Sequence, residues 1–214
     1  MNINISQILE DLSQVKKLLE SFLQDGTLTI SEERLIVDFF IHYQSTNDLV
    51  SEAIEHIRSE AEGALDMFAG MQHDMESFLM FYSNNEKKLN TLDFKRDCSR
   101  YLEQFDNAYK SASTEATSTW KQVQELSNKL DFMWETDEKY PTLRKECDEK
   151  ESLYYNILKP QVDRLFAEYK KQEEYIAPIY YFDMNMLIVL VTKMKDIAAS
   201  AIEDIHAMRK GTGE

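Results

Sequence analysis

The side chains that could do chemistry are few and widely spaced. Met67, Met71 and Met75 recur every four residues with His73 between them, a combination that can bind a soft metal such as Cu(I). Met71 and Met75 also fall on an apolar helical stripe, where methionine is a flexible packing residue. We therefore predict that this run belongs to the core and binds no metal.

Glu203 and His206 have the E-x-x-H spacing of helical two-metal sites. Such sites also need the same pair on a second helix and two further glutamates. His42, His56 and His73 have no glutamate three residues before them, so the second pair is missing. We interpret Glu203 and His206 as part of an exposed helix face, with no metal and no cofactor.

Nucleophilic catalysis has no clear residue set. Cys98 lies on an apolar helical stripe, where a thiol is a packing group. Cys147 lies in the acidic sequence ECDE, whose charges raise a thiol pKa instead of activating the thiol. No G-x-S-x-G sequence occurs, and the five glycines are too dispersed for a phosphate-binding loop. The sequence predicts a non-enzyme with no catalytic residues.

Charge restricts the partners. The 214 residues include 39 acidic and 24 basic side chains, for a net charge of −15. Such a chain repels nucleic-acid phosphates and anionic lipid unless its basic side chains are segregated, and its lysine pairs are diluted by carboxylates. We expect a protein partner, which is either a second copy of the chain (a homo-oligomer) or a basic surface. Nucleic acid is excluded, and a membrane enters only under the alternative given below.

The elements that position these residues are helices. Five glycines and three prolines are too few for a sheet protein. Apolar residues alternate by three and four from Ile36 to Leu92, which predicts one very long helix. The phase changes at Phe94, and a second run follows. We predict an all-α fold: an elongated antiparallel helical bundle or coiled coil of about five helices, forming a single domain over residues 1–214. The predicted parts are a long hairpin over about 31–138 and shorter helices at about 5–24, 142–176 and 178–209.

Local signals place the helix ends. Asp25-Gly26 should end the first helix, and the sequence TISE from Thr29 predicts a capping box. The hairpin turn lies between 83 and 93, and the change of phase favours 91–93. Pro141 suits the first turn of a helix, Pro160 should kink or split its helix, and Pro178 should start the last helix. If the long helix is broken, Gly63 and Gly70 are the expected positions, and a compact inhibitor-like bundle becomes the better hypothesis.

One candidate surface is acidic. Residues 32–85 contain eleven acidic side chains and only two basic ones, Arg34 and Arg58. The simplest interpretation is a solvated face that keeps a long helix soluble. The functional interpretation is a docking surface for a basic partner. Its candidate partner-binding residues are Glu52, Glu55, Glu60, Glu62, Asp66, Asp74 and Glu76.

A second candidate surface is apolar. The run IYYFDMNMLIVLV (179–191) is apolar on more than one face, which favours a central helix of a bundle over an interface with a partner or with lipid. The candidate interface residues are Phe78, Phe81, Tyr180, Tyr181, Leu187, Ile188 and Leu190.

We expect a protein–protein interaction module that acts as a spacer, an adaptor or an assembly subunit. In general architecture, a long helical hairpin with lysine-free apolar segments at 61–82 and 179–191 resembles the α-helical pore-forming toxins of the cytolysin A type. That resemblance implies a membrane-acting alternative. A third alternative is an acidic inhibitor or immunity protein. The chain carries no recognisable signal peptide or membrane span, which predicts a cytoplasmic location and leaves signal-independent secretion open.

Overall fold

The computed structural model describes residues 4–58 and 63–211, and this part of the chain is helical and contains no strand. The all-α prediction is therefore confirmed. About five helices were expected, whereas the described residues form eight α-helical segments, two of which are joined by a π-helical turn at Tyr154–Leu158. The segments are α1 (Ile5–Asp25), α2 (Ile30–Tyr43), α3 (Asn47–Arg58), α4 (Ala64–Leu89), α5 (Phe94–Asp131), α6 (Tyr140–Leu153), α7 (Lys159–Tyr180) and α8 (Met184–Gly211).

The predicted end of α1 and start of α2 are confirmed. Gly26 takes a left-handed φ of 76°, and its amide donates to the carbonyl of Phe22. At α2, the Thr29 hydroxyl accepts from the Glu32 amide at 3.3 Å, and the Glu32 carboxylate accepts from the Thr29 amide at 2.7 Å. The bond from the Thr29 amide, followed by one from the Thr29 hydroxyl to the same carboxylate, holds the pKa of Glu32 below its usual value. The turn is therefore closed by a reciprocal capping box.

The single long helix predicted over residues 31–92 is wrong. α2 ends at Tyr43, and α3 begins at Asn47 after three polar residues. A second interruption precedes α4, where Gly63 takes a left-handed φ of 84°. An α-helix of L-residues cannot continue through that conformation.

The chain folds back on itself between α3 and α4. The rings of His56 and Phe68 lie 6.4 Å apart. Twelve residues of continuous helix would separate them by about 18 Å. Gly70, the other glycine at which a break was expected, lies inside α4. The predicted weak point was therefore correct at Gly63 and wrong at Gly70.

The interruption after α2 also changes which face of α3 is buried. The heptad pattern predicted Val50 and Ile54 in the seam, yet Val50 is 39% exposed and Ile54 is also exposed. The buried residues are instead Leu49, which is 1% exposed, and Ala53. A rotation of one residue, about 100° around a helix, explains the exchange.

Contact clustering divides the chain into two compact units. The first, which we call the discontinuous unit, comprises Met1–Arg96 with Pro178–Glu214, and the second, the hairpin unit, is Asp97–Ala177. The unit boundaries fall within α5 and α7. The prediction of a single elongated domain over 1–214 stays a prediction.

In the discontinuous unit, α8 packs along α4 and α3, and α1 packs against α2 and α4. The Tyr43 hydroxyl donates to Asp11 at 2.6 Å and ties α2 to α1. Burial, followed by the Asp11 carboxylate, raises the pKa of Tyr43. The centre of the unit is a layer of large, fully buried side chains from α4 and α8: Phe68, Met71, Met75, Phe78, Leu187 and Met194.

In the hairpin unit, α5 runs antiparallel to α6 and α7. Near one end, the Tyr101 hydroxyl donates to Gln172 at 2.7 Å, and farther along, the Trp120 and Tyr154 rings lie 4.8 Å apart. At the closed end of the hairpin, buried and half-buried side chains form one cluster, which consists of Val123, Leu126, Leu130, Cys147, Trp120, Tyr140 and Leu143.

The predicted turn at 91–93, which the change of phase favoured over 83–85, is confirmed because α4 ends at Leu89 and α5 begins at Phe94.

The three prolines differ in how they match the prediction. Pro160 was predicted to kink or split its helix, and the α-helical run is interrupted immediately before it by the π-helical turn, where the Lys159 amide donates to the carbonyl of Tyr154. The wider turn accommodates a residue that has no amide to donate. Pro178 lies inside the last turns of α7 and does not start α8, which begins six residues later at Met184. Pro141 does lie in the first turn of α6, as predicted.

Candidate interaction surfaces

The residues that could bind a metal are dispersed. Met71 and Met75 are fully buried in the core, whereas His73 is exposed on the opposite side of α4. Glu203 and His206 are exposed on α8. Among the described residues, no three His, Cys, Asp or Glu side chains converge as a metal site would require.

The two cysteines are packing residues. Both lie in the hairpin unit, are buried and are not joined in a disulfide. The Cys147 sulfur lies 4.0 Å from the carbonyl oxygen of Val123. Burial, reinforced by the charge of Glu151, raises the pKa of Cys147. A raised pKa lowers the thiolate fraction, which is the reactive form, at neutral pH.

The predicted acidic surface does not converge on one face. Glu52 is half-buried in α3 with one carboxylate oxygen 3.7 Å from His56, while Glu55 is exposed. Asp74 and Glu76 are both exposed on α4, but two residues on an α-helix point about 200° apart. The seven candidates are thus divided as follows: Glu52 and Glu55 on α3, Asp66, Asp74 and Glu76 on α4, and Glu60 and Glu62 outside the described residues.

The residues of the predicted apolar surface are divided between the core and the exterior. Phe78, Leu187 and Leu190 are buried in the discontinuous unit, whereas Phe81 and Ile188 are half-buried. The favoured interpretation of the 179–191 run, central burial, therefore applies to one side of the run only. Tyr180 and Tyr181 are exposed at the break between α7 and α8.

An exposed cleft of about 400 Å³ remains on the outward side of α8. It is lined by Phe40 from α2 and by Met186, Val189 and Leu190 from α8, with Lys193 at one side. Met186 and Val189 are exposed there, so the run is apolar on two faces and only one of them is covered.

Within the described ranges, no single helix is both long enough and apolar enough to cross a membrane. Tyr140–Tyr180 and Met184–Lys210 reach that threshold only when they are taken together across the break between them.

The most exposed aromatic side chains of the described residues lie where the sequence predicted the second helix of the long hairpin, which was expected to run to about 138. Phe132 is 91% exposed and Trp134 is 84% exposed, both between α5 and α6. We call residues 131–139 of the hairpin unit the aromatic tip. The tip was not predicted because the second apolar run was taken to end at Met133. The sequence feature that could have indicated it is the three consecutive large apolar residues FMW at 132–134.

The backbone of the aromatic tip is held by hydrogen bonds. The amides of Phe132 and Met133 donate to Lys129 and Leu130, and the Asp137 amide donates to the carbonyl of Trp134 at 2.9 Å. Leu130 and Tyr140, which flank the tip in the sequence, both belong to the buried cluster at the closed end of the hairpin. The two aromatic rings are therefore presented on an ordered turn, which lowers the entropy lost when such residues bind a partner.

The aromatic tip is also acidic. Asp131, Glu135, Asp137 and Glu138 lie within four residues of Phe132 or Trp134 in the sequence, and Lys139 is the only basic residue in 131–139. Comparison with known proteins adds no information on the role of this feature, since no family model, no curated protein and no solved structure matches the chain.

Proposed function

We propose that this chain is a non-enzymatic protein–protein interaction module that docks through its aromatic tip. The exposure of Phe132 and Trp134 supports the proposal. Large aromatic side chains are costly to leave in water, and each contributes about 1.5–3 kcal/mol when it is fully buried. Tryptophan is among the residues most enriched at the energetic centres of protein interfaces. Two such residues on an ordered turn are typical of a docking element.

The form of the module also follows from the fold. The spacer hypothesis depended on an uninterrupted helix over residues 31–92, and the reversal at Gly63 removes that support. We therefore favour an adaptor, or an inhibitor that occludes a basic site, over a spacer. The elongated antiparallel coiled coil remains part of the proposal for the hairpin unit alone, where two helices run side by side.

A membrane-acting role is the second candidate, and the same feature favours it. Tryptophan and phenylalanine insert readily at lipid interfaces. The carboxylates of the tip are repelled by anionic lipid, which opposes this role. Leakage of anionic liposomes that is abolished by Trp134→Ser would move the proposal to this alternative.

The test of the interaction module is affinity capture with the full-length chain as bait, from an extract of cells that produce it. We expect at least one protein whose retention falls about 30-fold with Trp134→Ser, the loss that corresponds to about 2 kcal/mol at an interface centre. The same loss is expected for Phe132→Ser. Far-UV circular dichroism checks that both variants keep the helical content of the parent.

The matched control is Met80→Ser combined with Leu35→Ser. Both of these side chains are large, apolar and exposed, and both lie outside the hairpin unit. The control should keep the partner. If no retained protein depends on the tip, or if the control variant loses the same proteins to the same extent, the proposal is wrong.

A further inference from the structure

Two acidic side chains of the aromatic tip are available to a partner. Glu135 and Glu138 are exposed, and among the described residues neither forms an ion pair. The next charges along α6 behave differently, because Arg144 pairs with Asp148 at 3.1 Å and Lys145 lies 3.8 Å from Glu149. Glu135 and Glu138 therefore have no ion-pair partner among the described residues, whereas Asp148 and Glu149 of the adjacent helix have one each.

We propose that the tip binds a protein surface that has an apolar pocket for Phe132 and Trp134 and a rim of lysine or arginine side chains. This inference rests on the proposed function and specifies its partner. The pocket would bury the two rings, and the rim would pair with the carboxylates around them. Asp137 contributes least to the pairing because its side chain accepts from the Lys139 amide at 2.9 Å.

Charge complementarity distinguishes this partner from the alternatives. An anionic membrane attracts basic segments and repels an acidic tip. A second copy of the chain carries the same net charge of −15. Its apolar cleft between α2 and α8 also offers a single cation, Lys193. A separate protein with several cations around its pocket is attracted by each carboxylate of the tip. The negative net charge of the whole chain also attracts it at long range.

The affinity for the partner should depend on the charges of the tip and not on charges elsewhere in the hairpin unit. Complementary charges at the rim of an interface mainly raise the association rate, by about 10–10³-fold, and salt screens the effect. The Debye length falls from about 10 Å at 0.1 M salt to about 3 Å at 1 M. Reversal of two tip charges should therefore reduce binding about tenfold at low salt, and much less at high salt.

The experiment is photo-crosslinking of the full-length chain in cells that produce it and in their extract. Trp134→p-benzoylphenylalanine provides the probe, an aromatic side chain that reacts with whatever covers it. Crosslinked peptides are identified by mass spectrometry, and the yield is measured at 0.1 M and 1 M salt. The yield is then compared between Glu135→Lys/Glu138→Lys and the matched control Glu103→Lys/Glu115→Lys. The control changes the net charge equally at two exposed positions of α5 in the same unit.

We expect crosslinks to one protein at a site flanked by lysine or arginine. The yield should fall about tenfold for the tip double variant and stay within about twofold for the control. Crosslinks to lipid alone, crosslinks to a second copy of the chain, or an equal fall in both double variants would overturn the inference. A tip-dependent partner whose binding ignores both salt and charge reversal would overturn the inference and leave the proposed function standing. The absence of any crosslink would contradict both.

Discussion

Substitution by alanine at two glycines of the discontinuous unit should change the free energy of unfolding in opposite directions. Gly70 lies in the interior of α4, and a Cβ built on it meets nothing within 4 Å. Glycine at such a position costs about 0.5–1 kcal/mol relative to alanine because it loses more backbone freedom on folding. Gly70→Ala should therefore raise the free energy of unfolding by this amount.

Gly63 also has open space around its Cα, so an added methyl group meets no steric barrier there. Its φ of 84° is the difference. A left-handed conformation costs an L-residue about 1–2 kcal/mol. The gain from a stiffer unfolded chain offsets about 0.4–1 kcal/mol of that cost. Gly63→Ala should thus destabilise the protein by about 1 kcal/mol.

Urea unfolding followed by far-UV circular dichroism measures both effects. With a slope of about 2 kcal/mol per molar urea, the midpoint should rise by about 0.3–0.5 M for Gly70→Ala and fall by a similar amount for Gly63→Ala. Tryptophan fluorescence is unsuitable because Trp120 and Trp134 both lie in the hairpin unit. Stabilisation by both substitutions would mean that the helix continues through Gly63, which would refute the reversal between α3 and α4.

Three further predictions use the same unfolding assay or a thiol assay. Leu49→Ala should cost about 2–5 kcal/mol and Val50→Ala less than about 0.5 kcal/mol, and equal costs would contradict the rotated phase of α3. Tyr43→Phe should cost about 1–2 kcal/mol through the lost bond to Asp11. Because the pKa of Tyr43 is raised, its contribution is complete below pH 10 and is lost at higher pH, so the variant should show a weaker alkaline decline. Cys147 should react with iodoacetamide more slowly in the native protein than in urea at the same pH, and equal rates would contradict its burial.

Several predictions that rest on chemistry within a few residues are confirmed. The caps at Gly26 and Thr29 and the start of α6 at Pro141 each depend on neighbouring side chains and on backbone geometry. Such signals are complete in the sequence, since no distant contact is needed to satisfy them.

The heptad pattern failed where two phases were equally compatible with the residues. In α3 the adjacent pairs Leu49/Val50 and Ala53/Ile54 are all apolar, so the sequence supports either face. Three polar residues, 44–46, could be read as solvent-facing positions of one helix or as an interruption. Packing against α8 decides between these interpretations, and that contact lies about 140 residues away in the chain.

The aromatic tip could not be predicted as a site because exposure is a property of the folded path. The sequence shows Phe132 and Trp134 next to a helix end, where large apolar residues commonly pack against a neighbouring element. The folded structure is needed to show that no described element packs over the loop between α5 and α6, which leaves the two rings exposed. The predicted acidic surface stays a prediction, but its residues were grouped on one long helix that does not form.

The fluorescence of Trp134 tests the central claim most directly. Trp120→Phe leaves Trp134 as the only tryptophan, since the chain contains two. In the isolated protein its emission should be as red, and its quenching by acrylamide as complete, as for N-acetyltryptophanamide. Addition of the partner purified by affinity capture should shift the emission to the blue and protect it from the quencher. A blue, protected emission in the isolated protein, or an emission that the partner leaves unchanged, would contradict docking through the aromatic tip.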